Sequence, residues 1–488
     1  MVATRTIPPV APRLSLKPAN RESRTPALMS AHLVGSCGAG MKALAELLLG
    51  RGCRLTGSDL QGDSPTARSL ARRGLRVQPG HCGDNVPVDA DVLVFSPAVA
   101  ATNPERLRAA ELGIPQYSYS EMLGRLMREK TGVSIAGTHG KSTTTAMTAW
   151  VLHTAGLSPS AVVGAELCEL NVNGWAGDGP LFVAESCEYQ HSFWDLSPQH
   201  AAILALEPDH FDCFATFDDT VAAFARFAES IPSGGLLLIG GDCPASRRAC
   251  AGAGGDVQTF SLERQADWSA GDLRPSPAGT RFHIFRRGEF FTEAATSLPG
   301  VHNVLNALAA AALCERVGAD PAAIREGLSS FPGIRRRFEV VGTWRGVTFV
   351  DDYAHHPTAV RATLAAARAR FAGRRIVCVF QPHQVSRTLA LMGEFAASFG
   401  DADEVYVSPV FAAREQVTDE PRAASFELAG RIALSGQRAQ YAPSLDQMLT
   451  TLEDGLRPGD VLITMGAGDI GEVHHAFTRR FSRNHAAR

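Results

Sequence analysis

Gly137-Thr138-His139-Gly140-Lys141-Ser142-Thr143 carries the densest chemistry in this chain. It follows the apolar run Gly132-Val133-Ser134-Ile135-Ala136 and precedes a helix expected from near Lys141 through Met147, Trp150 and Val151. A strand that enters a glycine loop and leaves as a helix aims free backbone N–H groups, and the positive end of a helix dipole, at one point. Lys141 adds a mobile cation, and Ser142 adds a hydroxyl that can ligate Mg²⁺. Together these residues form a polyphosphate cradle, so the chain is expected to handle a nucleoside triphosphate. Only Thr138 and His139 separate the two glycines, whereas the standard P-loop places four residues there. The shorter loop narrows the family.

A second constellation is acidic. Glu185 ends one buried run, and Glu207-Pro208-Asp209-His210-Phe211-Asp212 follows another. A divalent cation bridging phosphates needs oxygen ligands and sometimes an imidazole, which favours Glu185 and His210 with Ser142. Asp209 and Asp212 serve equally well as caps. His302 and Asn303 open an alanine-rich helix, where Asn303 is either its N-cap or an adenine contact. Arg335-Arg336-Arg337 is either a solvated charge run or the source of a cation for a transferred phosphoryl group. Asp351-Asp352-Tyr353-Ala354-His355-His356-Pro357 is dense in polar groups at a strand end. Arg387, in Phe380-Gln381-Pro382-His383-Gln384-Val385-Ser386-Arg387, either grips a carboxylate bidentately or lies on the surface. Near the start, Gly35-Ser36-Cys37-Gly38-Ala39-Gly40 resembles a dinucleotide fingerprint with Cys37 in the middle glycine's place. Asp59 either bonds a ribose or base, or caps a helix.

The elements that must position these residues follow a strand–turn–helix rhythm. Leu181–Ser186, Ala201–Leu206, Asp91–Ser96, Gly346–Tyr353, Arg375–Phe380 and Asp460–Thr464 all read as buried strands. Such alternation gives parallel sheets with ligands at the strands' carboxyl ends. The expected fold is α/β: three consecutive modules, the N- and C-terminal ones Rossmann-like, flanking a central P-loop ATPase-type domain. The divisions fall at residues 1–27 (a Pro- and Arg-rich disordered arm), 28–130, 131–333 and 334–488. A net charge of −3 gives no reason to expect nucleic acid or an anionic membrane, and no apolar run approaches the ~20 residues of a membrane span. Ten cysteines with no CxxC pair suit reduced thiols in a cytoplasmic enzyme.

Taken together these strings resemble the Mur ligase family over about Ala31 to Glu472. The resemblance implies ATP and Mg²⁺ as cofactors. It also implies a reaction in which L-alanine joins the lactyl carboxylate of UDP-N-acetylmuramate through an acyl phosphate, in peptidoglycan precursor synthesis. By similarity, ATP lies against Gly137–Thr143, His302, Asn303, Arg337 and Asp352, and the metal against Ser142, Glu185 and His210. The UDP-sugar is held by Gly35, Gly38, Gly40, Asp59 and Ser96, and the amino acid by Tyr353, His355 and Arg387. Lys141, His210, Arg337 and His355 carry the chemistry, with His355 as proton acceptor. Domain closure is expected to assemble the site, in a monomer or homodimer. Cys37, Ala205 and Gln384 depart from the family pattern. Two alternatives stay open: a ligase that attaches a peptide to the same sugar, and a silent sugar-nucleotide binder.

Overall fold

The computed structural model describes residues 29–263, 265–413, 415 and 420–486; the expected arm at 1–27 lies outside them. Short apolar runs form strands that are buried on both faces, as parallel sheets covered by helices require. The first sheet holds β1 (Ser30–Val34), β2 (Arg54–Asp59), β3 (Val77–Pro79), β4 (Val92–Phe95) and β5 (Gln116–Ser118), ordered β3-β2-β1-β4-β5 and all parallel. Its strand order reverses at β1, where the glycine loop begins.

The central sheet contains β6 (Thr131–Ala136), β7 (Ser160–Val162), β8 (Gly174–Trp175), β9 (Leu181–Glu185), β10 (His200–Ile203), β11 (Leu236–Gly240), β12 (Asp256–Ser261), β13 (Trp268–Ser276), β14 (Gly279–Arg286) and β15 (Glu289–Thr296). The order is β15-β14-β13-β12-β11-β10-β6-β9-β7-β8. Since β6 lies between β10 and β9, pairing Ala136 with Ile203 and Ile135 with Glu185, the phosphate loop emerges flanked by both acidic segments. The hairpin expected from about Thr280 is present as β14 and β15, extended by the antiparallel partner β13.

The third sheet has β16 (Glu339–Trp344), β17 (Val347–Asp352), β18 (Ile376–Phe380), β19 (Glu404–Val407), β20 (Ala439–Tyr441) and β21 (Val461–Met465), ordered β16-β17-β21-β18-β19-β20. Only β16 is antiparallel to its neighbour. The carboxyl ends of β17 and β18 deliver Tyr353–His355 and Gln381–His383 to one edge. The fold is therefore three α/β modules in series, the outer two Rossmann-like.

Two differences from the sequence reading have local causes. The run Ala201–Leu206 leaves the sheet after Ile203, because the Thr138 N–H takes the Ala205 carbonyl at 2.8 Å and draws the chain towards the phosphate loop. The helix Val301–Arg316 is capped by Gly300, at φ +93°, so Asn303 is not its N-cap. The first two modules dock through the helix Ala39–Gly50 on the β7–β8 edge. There the Lys42 ammonium reaches Asn173 Oδ1 at 3.1 Å, and Glu46 accepts the Asn173 N–H at 2.9 Å. No helix among the described residues is long and apolar enough to cross a membrane.

Candidate functional site

The phosphate loop is built as its residues suggest. Gly140 caps the helix Lys141–Thr154 in the left-handed conformation, φ +80°, and offers no side-chain cap. The first-turn N–H groups are therefore left to an anionic ligand. Thr138 Oγ1 receives the Glu207 N–H at 3.0 Å and donates to the Glu207 carbonyl at 3.2 Å, pinning the loop to the acidic segment. Ser142 and Thr143 are buried in the first turn. The Lys141 ammonium folds back onto the Gly137 and Thr138 carbonyls and lies 2.9 Å from Glu188. Burial pulls the Lys141 pKa down, but Glu188 and the neighbouring groups raise it overall; burial pushes Glu188 up, but Lys141 and His210 hold it below the usual range. The pair is charged. Glu188 was not anticipated from the sequence, although it lies three residues beyond Glu185 in the same strand-end segment.

Asn306, on the helix Val301–Arg316, also escaped the sequence reading. A Cβ on Gly140 would sit 2.4 Å from its Oδ1. Gly140→Ala is therefore expected to cost about 1–2 kcal/mol in the left-handed conformation and to raise the KM for ATP about tenfold. Nucleotide titration of the variant checks this, and an unchanged KM would contradict the assigned loop geometry.

A divalent cation fits the residues around Lys141. His210 is held at φ +52°, with Nε2 3.4 Å from Glu188, and its Nδ1 is buried without a hydrogen-bond partner. Glu188 Oε2 is buried 2.9 Å from the Lys141 ammonium, which is already a cation beside that carboxylate. Glu185 is half-buried and accepts the Gly164 N–H at 2.7 Å. Carboxylates, a hydroxyl and an unused imidazole nitrogen suit a cation that is bound together with phosphate. The acidic segment also reaches elsewhere. Glu207 meets His139, His356 and Thr358, and Asp212 accepts the Tyr189 hydroxyl at 3.1 Å.

The third module faces this wall. Arg387 does meet a carboxylate, but it is that of Asp209, and both contacts go to one oxygen, Oδ1: a hydrogen bond from Nε at 2.7 Å and an ion-pair contact from Nη2 at 2.6 Å. Asp209 is thus not a cap, and Arg387 is not a surface residue; both are buried. Burial pushes the Asp209 pKa up, but Arg387 and then His210 outweigh it and hold the carboxyl far below its usual range. Nη1 of Arg387 donates to the His383 carbonyl at 3.0 Å.

His355 is pressed well below the usual imidazole range by burial and by Arg387, and is therefore neutral. Its Nδ1 lies 2.8 Å from the Tyr353 carbonyl, an acceptor only, so the proton sits on Nδ1 and the lone pair on Nε2. Gln384, at φ +69°, is buried beside this site with Nε2 unpartnered.

Within the arginine run, Arg335 pairs with Glu339, and Arg336 binds Asp351 (3.2 Å) and the Gly466 and Gly468 carbonyls. Arg337 makes no ion pair among the described residues, and its guanidinium lies 4.8 Å from the Tyr353 ring centroid. Asp352 accepts N–H groups from Phe338 at 2.7 Å and Ala354 at 2.8 Å, which shapes the strand end. His302 is pushed down to about 4 by burial and by the charges of Arg337 and His139. Asn303 Nδ2 donates to the Pro299 carbonyl at 2.7 Å and to His302 Nε2 at 3.1 Å.

In the first module, Gly35 follows β1 so closely under Ser96 that a Cβ would approach the Ser96 Cβ to 2.9 Å. Gly38 caps the helix that contains Gly40. Asp59 does not cap a helix. It accepts the Cys37 N–H and the Gln61 N–H, each at 2.8 Å, and so holds the glycine loop. Cys37 contributes its N–H whatever its side chain. Ala205 likewise acts through its carbonyl.

Comparison with known proteins matches this geometry along nearly the whole chain. The models described as Mur ligase family, catalytic domain; Mur ligase middle domain; and Mur ligase, glutamate ligase domain match residues 30–131, 135–314 and 336–468. The UDP-N-acetylmuramate–L-alanine ligase of Desulfitobacterium hafniense (strain Y51) is 42% identical over 443 residues, covering 91% of this chain and 98% of that one. The enzyme of that name from Salinibacter ruber (strain DSM 13855 / M31) is 40% identical over 448 residues, covering 91% and 94%. The crystal structure of UDP-N-acetylmuramate-alanine ligase from Thermotoga maritima superposes with a TM-score of 0.79 at 28% identity, covering 93% of this chain and 100% of that one. A murein peptide ligase from Psychrobacter arcticus 273-4 shares the fold, with a TM-score of 0.68 at 24% identity over 92% and 98% of the two chains.

Proposed function

Because the chain belongs to the Mur ligase family, we propose that it joins L-alanine to the lactyl carboxylate of UDP-N-acetylmuramate at the expense of ATP. The observation that carries the choice of substrates is the 42% identity to a ligase of that name across 91% of the chain. The site supports the chemistry independently. A carboxylate does not condense with an amine unaided, since hydroxide is a poor leaving group. Attack of the lactyl carboxylate on the γ-phosphorus forms the acyl phosphate as the bond to the β,γ-bridging oxygen breaks and ADP leaves. The alanine nitrogen then attacks the acyl carbon, and the tetrahedral intermediate expels phosphate.

Each wall of the cleft has a role in this reading. Gly137–Thr143 cradles the triphosphate, and Lys141 exchanges its carbonyl contacts for phosphate oxygens. Arg337, without an ion-pair partner among the described residues, approaches from the third module to stabilise charge in transfer. Ser142, Glu185 and His210 would hold Mg²⁺, which supplies charge neutralisation on the phosphates. His302, Asn303 and Asp352 shape the nucleotide's surroundings. Gly35, Gly38, Gly40, Asp59 and Ser96 form the UDP-sugar side. Tyr353, His355 and Arg387 form the amino-acid side, with Nε2 of His355 accepting the ammonium proton. Arg387 then shares its fork between Asp209 and the incoming carboxylate. We place the reaction in the cytoplasm.

Phosphate release from ATP and Mg²⁺ with UDP-N-acetylmuramate, measured with each amine separately, tests the assignment. Release is expected with L-alanine. Release with a tripeptide but not with L-alanine would replace this reading by peptide attachment, and none with any amine would leave a silent binder.

A further inference from the structure

Three side chains from separate segments converge where the phosphate loop meets the third module. His139 lies in the loop, Glu207 follows β10, and His356 caps the helix Pro357–Arg370. Among the described residues, theirs is the one grouping of three His, Cys or acidic side chains whose ligand atoms all lie within 4.8 Å of one another. His139 Nε2 is 3.1 Å, and His356 Nδ1 3.2 Å, from the same Glu207 oxygen, Oε2. These spacings approach the edge, roughly 3.3 Å, of a tetrahedron around a metal with bonds of about 2.0–2.1 Å.

The hydrogen-bond partners of His356 fix which ring nitrogen faces the carboxylate. His356 Nε2 faces the Pro208 carbonyl at 3.3 Å, and a carbonyl only accepts, so the ring proton belongs on Nε2. Nδ1 of His356 is then a lone pair, receiving the Thr358 N–H at 3.4 Å. That lone pair opposes a carboxylate oxygen at 3.2 Å. Two acceptors this close repel unless a proton or a cation lies between them. Thr358 Oγ1 donates to Glu207 Oε2 at 2.7 Å, orienting the carboxylate as partners of metal ligands do.

We propose that His139 Nε2, Glu207 Oε2 and His356 Nδ1 bind a divalent transition metal of the Zn²⁺ class. Two imidazoles among three protein ligands suit Zn²⁺ or Co²⁺ far better than Mg²⁺, which prefers oxygen and retains water. The site differs from the Mg²⁺ position at Ser142, Glu185 and His210. A metal here ties the phosphate loop to the N-terminus of the helix Pro357–Arg370, so it clips the central and C-terminal modules together across the cleft.

Chelator-stripped full-length protein, titrated with Co²⁺ in excess Mg²⁺ and followed by visible absorption and equilibrium dialysis, tests the site. The expected result is one Co²⁺ per chain, with the strong visible bands of a four- or five-coordinate ion, displaced by Zn²⁺. His356→Ala and the isosteric Glu207→Gln are each expected to weaken Co²⁺ binding by roughly 100-fold, whereas Glu185→Gln leaves it intact. Circular dichroism of each variant confirms that it is folded. Failure to retain Co²⁺ against Mg²⁺, or binding undiminished in both folded variants, would overturn the proposal. So would faint octahedral bands that Glu185→Gln removes.

Discussion

Lys141→Ala is expected to lower kcat/KM by about 10³-fold or more, with ATP and sugar nucleotide both saturable in the wild type. The ammonium is the one mobile cation of the phosphate loop. It is poised between the Gly137 and Thr138 carbonyls and the buried Glu188 carboxylate. Truncation removes charge stabilisation of the transferred phosphoryl group. It also removes the cation 2.9 Å from buried Glu188, whose other close neighbour is the His210 imidazole at 3.4 Å. Breaking a buried pair on one side typically costs about 3–5 kcal/mol, so the variant is expected to melt earlier as well as to lose turnover. The two effects separate in the double variant Lys141→Ala/Glu188→Gln, where the uncompensated charge is gone. That variant is expected to regain most of the stability and none of the activity. Phosphate release and thermal melting measure the two quantities, and substantial residual turnover in Lys141→Ala would show that the loop has been misread.

Arg387→Met is expected to destabilise the protein by about 3–5 kcal/mol at neutral pH, because Asp209 stays buried without its cation. The pair spans the central and C-terminal modules, so activity that depends on their apposition falls with it. Its pH dependence has a definite sign. The Asp209 carboxyl is held far below its usual range in the folded state, chiefly by Arg387 working against burial. A depressed folded-state pKa contributes stability that is present above the unfolded value, about 3.9, and lost as pH falls below it towards the folded value. The stability gap between wild type and Arg387→Met should therefore begin to close where the unpaired, buried Asp209 of the variant takes up a proton, above the ordinary carboxylate value, and go on closing as pH falls further. Thermal melts across pH give the curve. An equally stable variant at neutral pH, or a gap that widens on acidification, would contradict the assigned pair.

Much of the site was legible because its signals are local. The strand, short glycine loop and helix at Gly132–Val151 carry their own geometry, and the polar strand ends after Val350 and Phe380 lie at the carboxyl ends that parallel sheets use for ligands. What escaped depends on distant partners. Arg387 and Asp209 are 178 residues apart, so the sequence showed a carboxylate-gripping fork without saying whose carboxylate it grips. Asn306 became part of the phosphate loop only through the packing of another helix on Gly140. Glu188 was hidden because its role rests on being buried beside Lys141, and nothing in Glu185-Ser186-Cys187-Glu188 distinguishes which acid turns inward. Asn303 was a reasonable cap by residue type. Gly300 displaced it by adopting a positive φ three residues before the expected cap. At Cys37 and Ala205 the main chain also takes part, through the Cys37 N–H on Asp59 and the Ala205 carbonyl on Thr138, while the Cys37 thiol meets Ser64 and the Gln61 carbonyl. Gln384 is buried with its amide nitrogen unpartnered, which residue type alone did not reveal.

ATP consumption by activation of the sugar's carboxylate is tested most directly with UDP-N-acetylmuramate labelled with ¹⁸O in both lactyl carboxylate oxygens. Turnover with unlabelled ATP and L-alanine should release inorganic phosphate that carries one ¹⁸O per molecule, because the oxygen that attacks the γ-phosphorus departs with it. Phosphate free of ¹⁸O, with amide product still forming, would mean that the carboxylate never bonds to phosphorus.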